Sequence, residues 1–156
     1  MVSVHDVAAY ILQKVGHSIS TWKLQKLVYY SQAWSLVWDD CPLFRDEIQA
    51  WANGPVMPAL YEAHKGQFEI SSCPLGDPDN LDIDAKETVD AVLEGYEDKS
   101  GQWLSDLTHQ ERPWRDARVG VPDGERSTNQ ITLEAMSEYY SGLVKAHTIS
   151  VKTVNG

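Results

Sequence analysis

The sequence predicts an all-α protein, a single compact bundle of six to seven helices around a central apolar helix at about 21–38. Apolar residues recur at helical spacing through most of the chain, and helix-capping residues precede these segments. The segment at about 21–38 is apolar nearly all round, which is typical of a helix with neighbours on several sides. At 156 residues, without an internal repeat or a long linker, the chain has the size of one domain.

The first predicted helix covers 4–15, where apolar residues repeat at i, i+3, i+4 and i+7. Ser3 and Asp6 have the spacing of a capping box, in which each side chain accepts a backbone hydrogen bond at the helix start. Gly16 follows as a stop signal, because glycine readily adopts the left-handed conformation that ends helices. We therefore expect a short amphipathic helix at the N-terminus.

The second predicted helix begins behind Ser20 and runs through about 21–38. Its only polar strip lies around Gln25 and Gln32, and large apolar or aromatic residues occupy the remaining directions. A helix of this composition is normally buried on most sides. We expect it to organise the fold.

The middle of the chain is less regular. Residues 44–51 are expected to form an extended connector or a short strand. Gly54-Pro55 is then predicted to begin a helix reaching about His64, because proline at the first helical position loses no hydrogen bond. Residues 65–82 carry Ser, Pro, Gly and Asp without periodicity, which indicates a loop.

The C-terminal half contains four further predicted helices. Their predicted first or capping residues are Asp84 for a helix to Tyr96, Ser100 for one to Leu107, Pro113 for one to about Arg118, and Thr132 for the last. A polar turn segment at 122–130 separates the last two helices. We expect residues 1–147 to form the domain and residues 148–156 a flexible C-terminal tail.

Composition limits the classes of function. The formal net charge of −10 argues against a nucleic-acid surface, which requires a basic patch. The acidity favours a basic partner through electrostatic steering, or it serves only solubility. Six Trp and seven Tyr against two Phe are unusual, because Trp and Tyr favour surfaces that are half-buried or that become buried on association.

The cysteines and the N-terminus predict a cytoplasmic protein. Cys41 and Cys73 lie far apart without the spacing of a disulfide or metal framework, which is typical of a reduced compartment. The N-terminal residues show no signal peptide, and no apolar run reaches the ~18 residues of a membrane span. We therefore expect neither secretion nor a membrane partner.

His109 and Glu111 form an H-x-E pattern, which zinc deaminases use as a metal ligand and a proton shuttle. That chemistry also requires a Pro-Cys-x-x-Cys motif downstream, whereas both cysteines of this chain lie upstream. Polar side chains at the end of one short helix and the start of the next are better explained by backbone capping. We expect no metal here.

A cluster of aspartates between two predicted elements suggests calcium, but it does not fit the EF-hand template. That template needs an oxygen ligand at position five and glycine at position six, where Leu81 and Asp82 stand. A solvated acidic loop that ends in a helix cap is the better interpretation of Asp77, Asp79, Asp82 and Asp84. The chain also lacks a nucleophile elbow, a P-loop and a dinucleotide-binding motif. We therefore expect no catalytic residue, no cofactor and no enzymatic activity.

Three ordered sequence blocks carry a family resemblance. They are residues 23–32 (KLQKLVYYSQ), residues 50–61 (AWANGPVMPALY, preceded by Pro42-Leu43-Phe44) and residues 107–118 (LTHQERPWRDAR). Together, over about 4–145, they resemble the Panacea domain of SocA-like antitoxins, also known as a phage-associated protein family. The resemblance implies a protein that neutralises a cognate toxin, encoded by the adjacent gene, through direct protein–protein binding. It leaves open a proteolytic adaptor that delivers the toxin to a ClpXP-type protease.

The aromatic and Gly-Pro content of these blocks suggests where a partner binds. We expect seven residues to surround one aromatic-rich feature that contacts the toxin: Tyr29, Trp51, Gly54, Pro55, His109, Glu111 and Trp114. Aromatic residues supply much of the energy of interface hot spots, and a Gly-Pro backbone permits close approach. The alternative is that these residues mainly specify the fold and the toxin contacts other surfaces.

Overall fold

The computed structural model describes residues 2–147 and, within that range, has seven α-helices and two small antiparallel sheets. The elements are α1 (Val4–Val15), β1 (Ile19–Ser20), α2 (Thr21–Trp38), β2 (Gln49–Trp51), β3 (Gly54–Val56), α3 (Pro58–His64), β4 (Glu69–Ile70), α4 (Ile83–Tyr96), α5 (Gly101–His109), α6 (Arg112–Ala117) and α7 (Leu133–His147). The mostly helical prediction is confirmed. The tail expected at 148–156 lies outside the described residues.

The central position of α2 is also confirmed. It packs against α1, α4, α5, α7 and β3, and residues 24–36 of this helix are all buried. Its polar strip is buried as well. The Gln32 side chain can be buried because it hydrogen-bonds to backbone groups of the connector that follows α2. The Gln32 side chain accepts from Leu43 N at 2.7 Å and donates to Phe44 O at 2.8 Å. This amide therefore folds the connector back onto the central helix.

Local capping explains where several helices begin. The capping box of Ser3 and Asp6 is present, and Gly16 ends α1 with a φ of 80°. Ser20 and Ser100 accept backbone hydrogen bonds at the starts of α2 and α5, as predicted. The cap of α4 differs, since the Asp82 carboxylate accepts from Ala85 N and the predicted cap Asp84 lies within the first turn. The prediction of Asp84 as the cap was therefore wrong by two residues.

The prediction that Pro55 begins a helix was also wrong. Pro55 lies in β3, which pairs with β2 in an antiparallel hairpin (Ala50 opposite Pro55, Trp51 opposite Gly54). Helix α3 begins only at Pro58, which has the role that the sequence analysis gave to Pro55. The hairpin is favoured because Gly54 has a φ of 125°, a backbone conformation that residues with a Cβ rarely adopt.

The segment predicted as a loop at 65–82 contains one short strand and one helical turn. Strand β4 pairs with β1 and places Ile70 opposite Ile19. A 3-10 turn covers Pro78–Asn80, and the Asp77 carboxylate accepts from Asp79 N at its start. Asp6 holds this turn against α1 by accepting from Asp77 N at 2.8 Å. The aspartates of this region therefore serve as helix and turn caps.

Candidate functional site

The hairpin of β2 and β3 is fixed to the central helix by two buried side chains. Lys26 donates from Nζ to the carbonyl oxygen of Pro55 at 3.1 Å, and Gln25 accepts from Met57 N at 2.9 Å. A Cβ at Gly54 would lie 2.5 Å from Lys26 Cε and 3.2 Å from Thr108 Oγ1, so only glycine fits there without displacement. Because Lys26 and Gln25 both bond to this backbone, the first sequence block positions the second.

The third block braces the hairpin from the side of α5 and α6. Trp114 donates its indole N–H to the carbonyl oxygen of Trp51 at 2.9 Å. His109 stacks on the Trp114 ring with 4.0 Å between centroids, and the Arg118 guanidinium lies 5.0 Å from the same ring. Ser105 also donates to the carbonyl oxygen of Asn53 at the hairpin tip. The hairpin is thus held on two sides, by α2 and by the α5–α6 corner.

Arg118 attaches the polar turn segment 122–130 to the hairpin. Its guanidinium donates to the carbonyl oxygens of Ala50, Pro122 and Glu125, at 3.0, 3.2 and 2.7 Å. Ala50 N in turn donates to Asn129 O at 2.8 Å, so the segment runs alongside β2. Arginine suits this place because its planar fork offers several donors in fixed directions.

A second buried cluster joins α2, α6 and α7 around Glu111. Tyr30 and Tyr140 both donate to Glu111 Oε1, at 2.7 and 2.6 Å, and the hydroxyl groups of Tyr140 and Tyr29 lie 3.1 Å apart. Burial raises the pKa of the Glu111 carboxyl above its ordinary value, although both tyrosine hydrogen bonds act in the opposite direction. Burial likewise raises the pKa of each of the three tyrosines. This cluster is a packing junction of three helices.

The seven residues named from the sequence fall into these two clusters. Five of them lie at the hairpin (Trp51, Gly54, Pro55, His109 and Trp114), whereas Tyr29 and Glu111 belong to the tyrosine junction. Only Trp51 and His109 are partly exposed, and the other five are buried. Each has contacts within the chain that account for its residue type. Their part in partner binding stays a prediction.

Beside the hairpin lies a cavity of about 620 Å³, which we call the hairpin cavity. Its lining comes from α2, the hairpin, α3 and the segment 122–130. The lining residues are Thr21, Trp22, Gln25, Lys26, Trp51, Ala52, Asn53, Val56, Tyr61, His64, Arg126, Ser127 and Thr128. The size and mixed lining, aromatic with a few polar groups, are typical of ligand or side-chain binding sites.

Lys26 is the most unusual residue of the hairpin cavity. It is completely buried, and among the described residues no carboxylate lies within ion-pair distance of it. Burial lowers the pKa of Lys26 to about 7, because a buried charge loses its hydration. An ammonium group that is buried without a counterion is costly, so its presence calls for an explanation beyond folding.

His64 lies against the same cavity and leaves one ring nitrogen unused. Gln25 accepts from Met57 N through Oε1, so its Nε2 donates, and His64 Nε2 at 3.0 Å is the acceptor. The ring proton of neutral His64 therefore resides on Nδ1, which is buried and donates to no other described residue. Burial lowers the pKa of His64, and the nearby charge of Lys26 lowers it further.

The polar residues around the cavity were not predicted as site residues from the sequence. For Lys26 and Gln25 the sequence held a signal. They lie in a helix that is apolar nearly all round, so their polar side chains were bound to be buried. For Arg118 the signal was its place in the third block. His64 and Arg126 carried none, since each lies alone in a segment without a pattern, and only the fold brings them to Lys26.

The geometry places no metal centre in the described part of the chain. Among residues 2–147, no three His, Cys, Asp or Glu side chains are arranged to hold a metal ion. The two residues of the H-x-E pattern have different surroundings. His109 stacks on Trp114, whereas Glu111 accepts from two tyrosines. None of the helices in this range combines the length and hydropathy that a bilayer crossing requires.

Comparison with known proteins gives one match. Residues 24–115, more than half of the chain, match the model of a family described as antitoxin SocA-like, Panacea domain. The matched range contains both strands of the hairpin, Lys26, His64 and the α5–α6 corner up to Arg115. No curated protein and no solved structure matches the chain.

Proposed function

The chain belongs to the SocA-like antitoxin family with a Panacea domain, and from this premise we propose that it neutralises a cognate protein toxin by direct binding. The toxin is the product of the adjacent gene, and the two form a toxin–antitoxin system in the cytoplasm. Neutralisation requires no catalysis and no cofactor from this chain.

The braced hairpin is the observation that best supports binding as the mechanism. All three sequence blocks act on it: Lys26 from the first, Gly54 and Pro55 from the second, and Trp114 from the third. A surface that is already fixed in the free protein loses little conformational entropy on association, which favours affinity. Residues from all three blocks therefore hold one surface feature, the β2–β3 hairpin, in place.

The seven residues named from the sequence take two roles in this proposal. Trp51 and His109 are partly exposed and contact the toxin, because half-buried aromatic groups are efficient interface residues. Tyr29, Gly54, Pro55, Glu111 and Trp114 are buried and hold the contact residues in position. Substitution of the first group is expected to weaken binding with the fold intact, and substitution of the second to change both.

Co-expression with the adjacent gene tests the proposal. The expected result is that the neighbour arrests growth alone, that this chain restores growth, and that the two proteins co-purify near one-to-one. Growth rescue without a recoverable complex, lost in a strain lacking the ClpXP protease, would instead establish a proteolytic adaptor. Rescue at strongly substoichiometric amounts, abolished by His109→Ala, would point to an enzyme and contradict the proposal.

A further inference from the structure

The hairpin cavity has a charge opposite to that of the whole chain. The protein carries 23 acidic residues and a formal net charge of −10, yet within residues 2–147 no aspartate or glutamate lines the cavity. Three basic residues do line it, namely Lys26, His64 and Arg126. On an acidic surface, a cavity free of carboxylates is the place where an anionic group meets the least repulsion.

These groups also have unused donor capacity. The ammonium group of Lys26 has three N–H donors, and one of them is used by the carbonyl oxygen of Pro55. His64 keeps Nδ1–H without an acceptor in another residue of the described chain, and Arg126 is exposed at the rim. Because Lys26 and His64 are 0% and 4% exposed, they give the cavity a basic floor, and the exposed Arg126 is the donor that an acceptor from outside can reach. A carboxylate supplies several acceptor sites in one group.

Two exposed aromatic residues, one lining the cavity and one bonded through its backbone to a lining residue, indicate that the acceptor belongs to a protein. Trp22 lines the cavity and is 37% exposed, and Phe68 is 92% exposed. Phe68 is held next to this rim, because its carbonyl oxygen accepts from Thr21 N at 2.9 Å and Thr21 also lines the cavity. A small anion would use the cavity alone, whereas a protein segment would cover this apolar patch as well.

Building on the proposed function, we propose that the hairpin cavity is the main toxin-binding pocket and that it receives an aspartate or glutamate side chain of the toxin. An apolar residue next to that acid covers Trp22 and Phe68. The carboxylate binds the exposed Arg126 at the rim, and the buried Lys26 and His64 lie below it in the cavity lining. Because the chain carries a formal net charge of −10, this basic lining is a favourable place for an acid of the toxin, which sets the orientation of the complex.

Charge reversal at the rim is the most direct test. Arg126→Glu changes an exposed side chain, so the fold is expected to survive, and Arg45→Glu makes the same change at an exposed arginine outside the cavity. Binding of each purified variant to the purified product of the adjacent gene is measured by calorimetry. We expect Arg126→Glu to weaken binding at least tenfold and Arg45→Glu to change it by less than threefold.

The apolar half of the surface has its own matched pair. Phe68→Ser removes an exposed aromatic ring from the residue whose carbonyl oxygen accepts from the cavity residue Thr21, and Leu75→Ser removes an exposed apolar side chain from a residue outside the cavity lining. The first is expected to weaken binding severalfold, and the second to leave it unchanged. Circular dichroism and melting of all four variants confirm that each is folded.

A double-mutant cycle identifies the partner group. Each acidic residue of the toxin is changed to lysine and combined with Arg126→Glu, and one combination is expected to recover affinity lost in both single variants. If wild-type protein binds the toxin but no lysine substitution restores binding, or if Arg126→Glu binds like wild type, the inference is wrong while the proposed function stands. If wild-type protein forms no complex, both fail together.

Discussion

The indole N–H of Trp114 donates to the carbonyl oxygen of Trp51 across 2.9 Å, and this bond joins the start of α6 to the strand before the hairpin tip. Trp51 lines the hairpin cavity, whereas Trp114 is buried behind it. Two tryptophans that are far apart in the sequence thus have different tasks, one at the surface and one in support.

Trp114→Phe is expected to lower the free energy of unfolding by about 1–3 kcal/mol, because the Trp51 carbonyl loses its donor in a largely buried place. Urea denaturation measures this change. Trp103→Phe, at a 44% exposed tryptophan, is the control and is expected to change stability by about 0.5 kcal/mol or less. Lost neutralisation at unchanged stability would instead show that Trp114 contacts the toxin itself.

Gly54→Ala is expected to destabilise the protein and to impair neutralisation, because the new Cβ would lie 2.5 Å from Lys26 Cε at a φ of 125°. Gly142→Ala, in helix α7 with no atom within 4 Å of the new Cβ, is expected to stabilise by about 0.5–1 kcal/mol. Thermal melting compares the two. Equal effects of both substitutions would contradict a special backbone requirement at the hairpin.

Lys26→Met is expected to remove a pH dependence of stability. The pKa of Lys26 is about 7 in the folded protein, below its ordinary value, so the unfolded chain binds more protons above pH 7 and stability rises with pH there. The rise is at most about 1.4 kcal/mol per pH unit. Lys26→Met loses this rise and leaves the Pro55 carbonyl unpaired, so it is expected to be less stable than wild type at pH 9.

The comparison at lower pH completes that test. Below pH 7 wild-type Lys26 carries its buried charge, whereas methionine carries none, so the disadvantage of Lys26→Met is expected to shrink or reverse at pH 6. Denaturation of both proteins at pH 6, 7.5 and 9 measures the difference, and the other titrating groups cancel in it. Parallel stability curves would show that Lys26 does not change protonation in this range.

Glu111 is expected to show the opposite sign. Burial raises the pKa of its carboxyl, so the folded protein binds more protons than the unfolded chain, and stability falls as pH rises from the ordinary value to the raised one. Glu111→Gln removes this loss and keeps an acceptor oxygen for Tyr30 and Tyr140. It is expected to be at least as stable as wild type at neutral pH.

Glu111→Ala, in contrast, is expected to lose about 2–4 kcal/mol, because two buried hydroxyl groups lose their acceptor and a cavity is left. Denaturation at pH 4 and pH 7 compares it with the glutamine variant. If alanine and glutamine behave alike, the hydrogen bonds to Tyr30 and Tyr140 do not stabilise the fold.

Arg118→Lys is expected to release the segment 122–130, because one ammonium group cannot serve three carbonyl oxygens in fixed directions while packing on Trp114. Hydrogen exchange at Ala50 and Ile131, whose amides donate along this segment and β2, is expected to become faster. Arg115→Lys serves as the control at an exposed arginine. Unchanged exchange would show that the backbone pairing alone holds the segment.

The helical framework could be predicted because its signals are local. A serine placed before an apolar stripe caps the helix that follows, as Ser3, Ser20 and Ser100 do, and no distant contact is needed to decide it. The cap of α4 was missed by two residues because Asp82 and Asp84 are chemically equivalent in sequence. Only the packing of α4 selects between them.

The hairpin and its cavity were beyond local signals. Pro55 is compatible with a helix start and with a short strand, and the contact of its carbonyl with Lys26 favours the strand. The seven residues named from the sequence were recognisable by type and block, but sequence did not separate partly exposed Trp51 from buried Trp114. Arg126 lines the same cavity as Lys26 because Arg118 and β2 position a segment that has no periodicity of its own.

The hydrogen bonds that Arg118 and β2 make to the segment 122–130 end on main-chain oxygens, those of Pro122, Glu125 and Asn129. A main-chain oxygen is present whatever side chain the residue carries, so the path of the segment depends little on its composition. Arg126 and Thr128 are therefore expected to tolerate exchange without refolding of the protein, whereas the Ser127 hydroxyl accepts from Asn129 N at 3.1 Å. Part of one cavity wall can thus vary in side chain while its backbone stays fixed, and if the cavity binds the toxin as proposed, a library randomised at positions 126 and 128 is expected to change which toxin is bound.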